Sequence, residues 1–285
     1  PMPRYWVSKK VVEKIINSNI SFFLGFRNVT NTTNERTFIS TIIPYAAVGN
    51  SMPLFLTDIM AIDACKFISC LSSYIFDFMV RLKVGGINLN FYLVKQLPVL
   101  PPSTYETEEF SLIGDSLINS VLELVYTSYS LEPFAKDCGY DGPPFIWDEE
   151  RRFEIRCELD ALYFHLYLGN KEEWVKSNQK PQLGFSLDYI SPLLKYFPAP
   201  RNAVEYVLDT FPIVKKKEGK KFGEFRTKHR ILEIYDEMTE CLNHHIKYQS
   251  PLNPPPGPPC DSQGNFIPFK EWNLENYPSH IHLSQ

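Results

Sequence analysis

The sequence contains little glycine and little cysteine, and both shortages exclude common kinds of site. Only 13 of the 285 residues are glycine, and none forms the Gly-x-Gly-x-x-Gly loop of cofactor-binding folds or the glycine-rich loop that cradles nucleotide phosphates. The 6 cysteines include no Cys-x-x-Cys pair, and no histidine stands at a zinc-ligand spacing. We therefore expect no metal framework and interpret the thiols as reduced. No Ser/His/Asp or Cys/His arrangement indicates a nucleophilic catalyst.

Long uncharged hydrophobic runs are also missing. The most apolar stretch, residues 60–82, contains Asp63, Lys66, Asp77 and Arg81, which favours a buried helix over a membrane span. Hydrophobic residues make up 44% of the chain and charged residues 22%, as in globular proteins with a substantial core. These features predict a soluble, cytoplasmic protein that does not enter the membrane.

The whole chain has no excess of basic residues, but its first hundred residues do. The net charge of -4 weighs against a protein coated in basic charge. Residues 1–100, however, contain 10 Lys and Arg against 5 Asp and Glu, whereas residues 101–170 contain 4 against 14. Blocks of opposite sign indicate that the regions have different roles or face each other.

The pattern of apolar residues predicts an α+β fold with a mixed first domain and a mainly helical second one. The expected strands lie at residues 20–26, 37–43 and 54–57, with a polar loop between the first two. The expected helices lie at residues 8–16, 60–83, 104–128, 148–168, 204–208 and 224–245. The helix over 60–83 is apolar on almost every face and must be enclosed. A flexible basic loop is expected before the last helix.

Proline divides the chain into three predicted regions. Prolines 98, 101 and 102 end a first domain at about residue 103, and a helical support domain follows over residues 104–250. Residues 251–285 are expected to form a proline-rich tail, because 6 of the 9 residues from 251 to 259 are proline.

Polar loops in the positive first third suit contacts with DNA. Arginine can donate two parallel hydrogen bonds to phosphate or guanine, and asparagine and glutamine can pair with adenine edges. Paired glycines allow a phosphate to approach the backbone closely. The candidate DNA-contacting residues are Arg27, Asn28, Thr30, Asn31, Asn34, Arg36, Thr37, Lys83, Gly85, Gly86, Asn88, Asn90, Lys95 and Gln96. On the pattern of these residues alone, ordinary turn-forming surface loops explain them better than DNA binding does.

Two functions of other classes stay open. Asp209, Glu218 and Lys220 fit the loose Asp and Glu-x-Lys spacing with which many nucleases hold a metal ion, although five lysines in this segment fit a solvated charge run better. A purely structural interaction module is the other alternative, with the proline-rich tail as ligand for a proline-binding partner.

Six strings in this chain resemble the carboxy-terminal third of large adenine-specific DNA methyltransferases. That family comprises single-chain restriction-modification enzymes of the type IIG-like kind and related phage-defence methylases. The strings cover nearly the whole chain in the family's order and are PRYWV, FLGFRNVTNTTNERTFISTIIP, AAVGNSMPL, SSYIFDFMVRLKVGGINLNFYLVKQLPVLPP, FEIRCELDALYFHLYLG and EYVLDTFPIVKKKEGKKFGEFRTKHRILEIYDEM. The helix, Gly-Gly loop and KQLPVLPP are also similar to the end of a recognition domain in type I specificity subunits.

This resemblance implies a DNA target-recognition domain at residues 1–103, followed by its helical support. In the family, the catalytic methyltransferase domain and its S-adenosylmethionine site lie upstream, so this chain is expected to hold no cofactor itself. Its expected partners are double-stranded DNA and that upstream domain of the same polypeptide. The recognition part of such an enzyme reads the sequence and orients the duplex so that the target adenine flips into the upstream pocket.

Overall fold

A small antiparallel sheet formed within residues 22–55 combines with many helices. The computed structural model describes residues 6–15, 20–179 and 194–283. Helices predominate over strands in the described residues, so the expected mixture of helices with a small sheet is confirmed. None of the helices within the described ranges is long and apolar enough to cross a membrane.

The sheet has a central strand that is buried along its whole length. In the spatial order β2-β1-β3, the strands are β1 (Phe22–Phe26), β2 (Ser40–Pro44) and β3 (Leu54–Phe55). β1 pairs antiparallel with both neighbours, and the pairing of Phe26 with Ser40 leaves the predicted long loop between them. β2 begins three residues later than expected, because the backbone amides of Thr37 and Phe38 donate to Asp77 (2.8 and 2.5 Å) instead of to β1.

Helices of very different length make up the rest of the fold. They are α1 (Lys9–Ile15), α2 (Ala61–Ser72), α3 (Tyr74–Lys83), α4 (Phe91–Val94), α5 (Glu108–Ile113), α6 (Leu117–Val125), α7 (Glu132–Asp137), α8 (Glu149–Leu168), α9 (Lys171–Gln179), α10 (Pro200–Asp209), α11 (Pro212–Phe222) and α12 (Arg226–Asn243). Short 3₁₀ turns lie at Pro102–Glu106, Tyr129–Leu131, Phe269–Glu271 and Leu274–Asn276. α8 and α12 agree with the helices predicted from residues 148–168 and 224–245.

The single helix predicted for residues 60–83 is in fact two helices, α2 and α3. Ser73 separates them with an extended backbone (φ -75°, ψ 153°), and its hydroxyl accepts from the amide of Phe76 at 3.3 Å. The amide of Tyr74 donates to the buried carboxylate of Asp160 at 2.6 Å. A serine cap and a buried acceptor thus satisfy amides that a continuous helix would have bonded internally.

The basic segment between residues 208 and 224 is also helical, contrary to the predicted flexible loop. Pro212 occupies the first position of α11, where its missing N–H costs nothing. Gly223 ends the helix in the left-handed region with φ 81°. The helix predicted for residues 104–128 is divided into a 3₁₀ turn, α5 and α6.

One hydrophobic cluster connects the sheet with the helical region. It includes Leu24 of β1, Ile68 of α2, Phe164 of α8, Ile234 of α12 and, near the end of the chain, Ile281. Residues from each of the three predicted regions therefore share this core.

Residues 251–259, predicted as an extended proline-rich tail, fold back against the helices. Arg151 of α8 donates to the carbonyl oxygens of Pro254 (2.7 Å) and Pro255 (2.9 Å). Its guanidinium also pairs with the buried carboxylate of Glu123. The proline segment is consequently part of the folded molecule and not a free tail.

Candidate nucleic-acid interface

Two polar segments that are far apart in sequence form one surface. An isolated antiparallel bridge joins Val29 of the loop after β1 to Asn88 of the Gly-Gly loop after α3. The amide of Thr30 donates to the carbonyl of Ile87 at 2.9 Å, and the amide of Leu89 donates to the carbonyl of Asn28 at 2.8 Å. We call residues 27–36 together with residues 83–90 the paired-loop surface.

A third turn and a small core support the paired-loop surface. The amide of Asn28 donates to the carbonyl of Ser51 at 2.9 Å, so the turn before β3 adjoins the surface. A second hydrophobic cluster, which includes Phe26, Phe38 and Leu89, connects β1 to both loops. Buried side chains of this cluster therefore support both loops.

Asp77 and Arg81, on adjacent turns of α3, hold the end of the first loop. Asp77 accepts the two loop amides that precede β2, and Arg81 Nε donates to Asp77 Oδ2 at 3.0 Å. Arg81 Nη2 also donates to the carbonyl oxygens of Asn34 (2.8 Å) and Glu35 (3.0 Å). Because Asp77 is only 1% exposed, this network is shielded from water and salt.

Three of the candidate DNA contacts face the protein interior. Thr30 is buried and its hydroxyl donates to the carbonyl of Thr37, which is also buried. Arg36 donates to Asp160 at 3.0 Å and lies over the ring of Tyr74, 3.2 Å from its centroid. Burial raises the pKa of Asp160, and the Arg36 charge opposes that rise. These residues stabilise the loop in the described structure.

The other candidates of the first loop lie nearer to solvent. Asn31 is exposed, whereas Arg27, Asn28 and Asn34 are half-buried. With its amide oxygen turned inward, Asn34 accepts from Arg27 Nη2 at 3.0 Å and from the amide of Asn31 at 3.1 Å. Arg27 Nε and Asn28 Oδ1 are buried without a hydrogen-bond partner.

The candidates at the end of α3 and after it are all exposed, and they are Lys83, Gly85, Gly86, Asn88, Asn90, Lys95 and Gln96. Neither glycine of the pair adopts a positive φ. Open space surrounds both, because an added Cβ would meet no atom within 4 Å. A phosphate can therefore approach the backbone of both glycines closely, although neither glycine has a φ that only glycine readily adopts. Gln96 Nε2 donates to the carbonyl of Tyr92 at 3.1 Å.

The basic helix α11 lies beside the paired-loop surface. Lys217 pairs with Glu35, and Arg81 connects the loop to the carbonyl of Thr210 at 3.4 Å. The exposed lysines of this helix are Lys215, Lys216, Lys217, Lys220 and Lys221. The sequence pattern does not connect these lysines with the loops, although Pro212 and Gly223 are helix start and stop signals.

Exposed aliphatic side chains of the paired-loop surface also escaped the sequence analysis. Val29 is 55% exposed and Ile87 is 63% exposed. Apolar side chains at this position can contact the methyl group of thymine. No sequence signal distinguishes them from ordinary strand residues.

The residues of the proposed nuclease site have separate partners. Asp209 pairs with Lys228 at 2.8 Å, and the carboxylate of Glu218 accepts from the amide of Thr227 at 2.8 Å. Lys220 is exposed. In the part of the chain that the structure describes, no group of three His, Cys, Asp or Glu side chains is arranged to hold a metal ion.

The paired-loop surface therefore offers amide donors and acceptors, lysines and a few apolar atoms on a supported backbone. Such groups can contact phosphates and base edges. Comparison of the chain with protein-family models, curated proteins and solved structures gives no match.

Proposed function

We propose that this chain is the sequence-recognition part of an adenine-specific DNA methyltransferase or restriction-modification enzyme, and that it binds double-stranded DNA through the paired-loop surface. The observation that carries the proposal is the bridge between Val29 and Asn88, because it joins two polar segments separated by more than fifty residues of sequence. Two loops that are distant in sequence can contact one DNA site only if they lie on a common surface.

The distribution of charge supports the same surface. Lys83 and Lys95 are exposed and make no ion pair with the described residues. The five lysines of α11 extend the positive charge past Glu35. Lysine contacts with phosphates supply affinity without reading sequence, so α11 would position the duplex while Asn31, Asn88 and Asn90 contact base edges.

The remaining parts of the proposal rest on the sequence resemblance. Catalysis and S-adenosylmethionine binding belong to an upstream domain of the same polypeptide, and the enzyme acts in the cytoplasm. The chain described here orients the duplex so that the target adenine reaches that domain.

Salt dependence of DNA binding tests the proposal. We expect the affinity for a short fluorescent duplex, measured by anisotropy, to fall steeply between about 50 and 200 mM salt, because phosphate contacts release counterions. Replacing Lys216, Lys220 and Lys221 by glutamine should reduce the slope of log K against log salt by up to about 3, roughly one per lost contact.

Three lysines elsewhere provide the matched control. Lys136, Lys247 and Lys270 are exposed and lie outside α11 and the paired-loop surface. Their replacement by glutamine changes the net charge equally and should leave the slope nearly unchanged. A flat salt response of the unmodified chain, or equal effects of the two triple variants, would contradict the proposal.

A further inference from the structure

A cavity lined partly by arginines lies between β2 and the helices α2, α6 and α8. Its volume is about 210 Å³, and it is enclosed by β2, the junction of α2 with α3, α6 and α8. We call it the arginine cavity, and the residues on which its chemistry depends are Arg36, Ser40, Ser72, Arg152, Arg156 and Asp160. Arg36 is the one residue of the paired-loop surface that lines this space, and its side chain faces inward, towards Asp160.

Arg152 has a buried guanidinium, and two of its nitrogen atoms have no acceptor among the described residues. It is only 7% exposed, and its Nε and Nη1 atoms are buried without a hydrogen-bond partner. Its guanidinium lies over the ring of Trp147, 3.7 Å from the centroid, and forms no ion pair with any described residue. Burial lowers the pKa of Arg152 and the charge of Arg156 lowers it further, whereas the carboxylates of Glu149 and Glu123 raise it. Burial of an unpaired charge lowers the stability of the folded chain unless an opposite charge pairs with it.

Two more arginines contribute donors to the same cavity. Arg36 uses Nη2 for Asp160, while its Nη1 is buried without a partner. Arg156 is exposed and makes no ion pair within the described ranges. Three of the residues that line the cavity are thus arginines, and one, Asp160, is a carboxylate.

The remaining walls combine two hydroxyls with apolar side chains, which are Ile68, Val121, Leu124, Val125 and Leu159. The hydroxyls of Ser40 and Ser72 lie 3.3 Å apart, so one hydroxyl hydrogen serves their mutual bond and the other is free to donate. The cavity is smaller than the roughly 300–1,000 Å³ of pockets for drug-sized ligands. Arginine forks match the geometry of phosphoryl oxygens especially well.

We propose that the arginine cavity binds a phosphoryl group, with Arg152 and Arg36 as the principal donors. The source of that group is free phosphate or a nucleoside monophosphate, and both present the same charged oxygens. This site is separate from the DNA surface proposed above, because it shares with that surface only Arg36, whose side chain faces inward.

Calorimetric titration of the full chain with inorganic phosphate tests the site. At about pH 7.5, where phosphate is largely dianionic, we expect saturable binding at constant ionic strength set with chloride. Arg152→Gln should weaken binding by at least about tenfold, since it removes a charge-assisted pair of hydrogen bonds. No saturable binding to the unmodified chain, or equal binding by Arg152→Gln, would overturn the proposal.

Two further variants separate anion binding from a general loss of folding. Arg226 also stacks on an aromatic ring, 4.0 Å from the centroid of Phe153, but it pairs with Glu150 outside the arginine cavity. Arg226→Gln should therefore bind phosphate normally. Ser72 is exposed, so Ser72→Glu can place a competing carboxylate beside the arginines without disturbing the core. We expect Ser72→Glu to abolish binding and Ser72→Gln to retain it, and the reverse result would refute the site.

A parallel titration with adenosine 5′-monophosphate identifies the source of the phosphoryl group. Binding at least about tenfold tighter than phosphate indicates a nucleotide ligand, and equal binding indicates that the phosphoryl group alone is recognised. Failure of both titrants would count against the site, whatever the result of the DNA measurements.

Discussion

Single buried carboxylates determine the geometry of the paired-loop surface. Asp77 accepts two loop amides and pairs with Arg81, which itself donates to two loop carbonyls. Removing one member of such a network leaves the other groups desolvated and unpaired. The loop conformation therefore depends on a residue that makes no contact with solvent.

Replacing Asp77 by alanine should lower the free energy of unfolding by about 3 kcal/mol or more, measured by denaturant titration. Asp63→Ala is the matched control, because Asp63 also lies in a first helical turn and pairs with a basic residue, Lys66, but at the surface. That exposed pair should contribute less than about 1 kcal/mol. Equal losses of unfolding free energy in the two variants would show that the buried network of Asp77 does not stabilise the chain more than a surface ion pair does.

Glu158 links stability to pH. Burial raises the pKa of Glu158 from 4.5 to about 7, although Ser250 donates to its carboxylate at 2.7 Å and opposes the rise. Because the folded chain holds this proton more tightly than the unfolded chain, the stabilisation is complete below about pH 4.5. It is lost as the pH rises through 7.

Glu158→Gln removes this titration and should be more stable than the unmodified chain at pH 8, by roughly 1–3 kcal/mol. The difference should shrink towards zero on acidification to about pH 4.5, where both side chains are neutral. Unfolding titrations across this pH range measure it. A stability difference that does not change with pH would contradict the assignment.

At the scale of secondary-structure elements, sequence patterns predicted the long helices correctly. They failed to predict helix ends at which backbone amides donate to side chains instead of to backbone carbonyls. α8 and α12 have clear apolar periodicity, and both were predicted. The break at Ser73 depends on Asp160, eighty-six residues away from Tyr74, and no local pattern contains that information. α11 was misinterpreted for another reason, since its lysines suggested a solvated loop while its terminal proline and glycine were overlooked.

The two glycines of α11 predict opposite responses to the same substitution. Gly223 has φ 81°, so Gly223→Ala should destabilise the chain by about 1 kcal/mol. Gly219 lies inside the helix without a positive φ, and an added Cβ would meet no atom within 4 Å. Gly219→Ala should therefore stabilise by roughly 0.5–1 kcal/mol. Thermal unfolding of both variants tests the helix, and changes of equal sign would contradict it.

At the scale of the whole molecule, opposite charges within the chain pair with each other. The acidic excess of residues 101–170 is partly neutralised by arginines of α12, as in the pairs of Glu150 with Arg226 and Glu154 with Arg230. The charge blocks could be recognised in the sequence. Their partners could not, because pairing depends on the packing of α8 against α12.

The same limit applies to the candidate interface. The sequence indicated both polar segments, but nothing in either segment encodes the bridge between them. It also could not separate inward-facing Thr30, Arg36 and Thr37 from exposed Asn31 and Asn88, since all are polar residues in loops. Burial follows from the position of α3 and α8 beneath the loops.

The proline-rich segment is expected to contribute to folding of the whole chain. Trp272 stacks on Tyr140 with ring centroids 6.1 Å apart, and Gly257 donates its amide to the buried Glu123 at 2.8 Å. Ending the chain after residue 250 should expose Tyr140 and Glu123, lower the unfolding midpoint and increase binding of a hydrophobic dye. A truncated chain with an unchanged midpoint would show that the segment is dispensable.

Selection of bound duplexes from a random pool tests the central claim, that the paired-loop surface reads DNA sequence. We expect the full chain to enrich a short common motif. Asn31→Ala and Asn88→Ala should relax the preference at particular base pairs, whereas lysine-to-glutamine changes in α11 should weaken binding to all sequences alike. Enrichment of no motif by the full chain, or of an unaltered motif by both asparagine variants, would contradict the account.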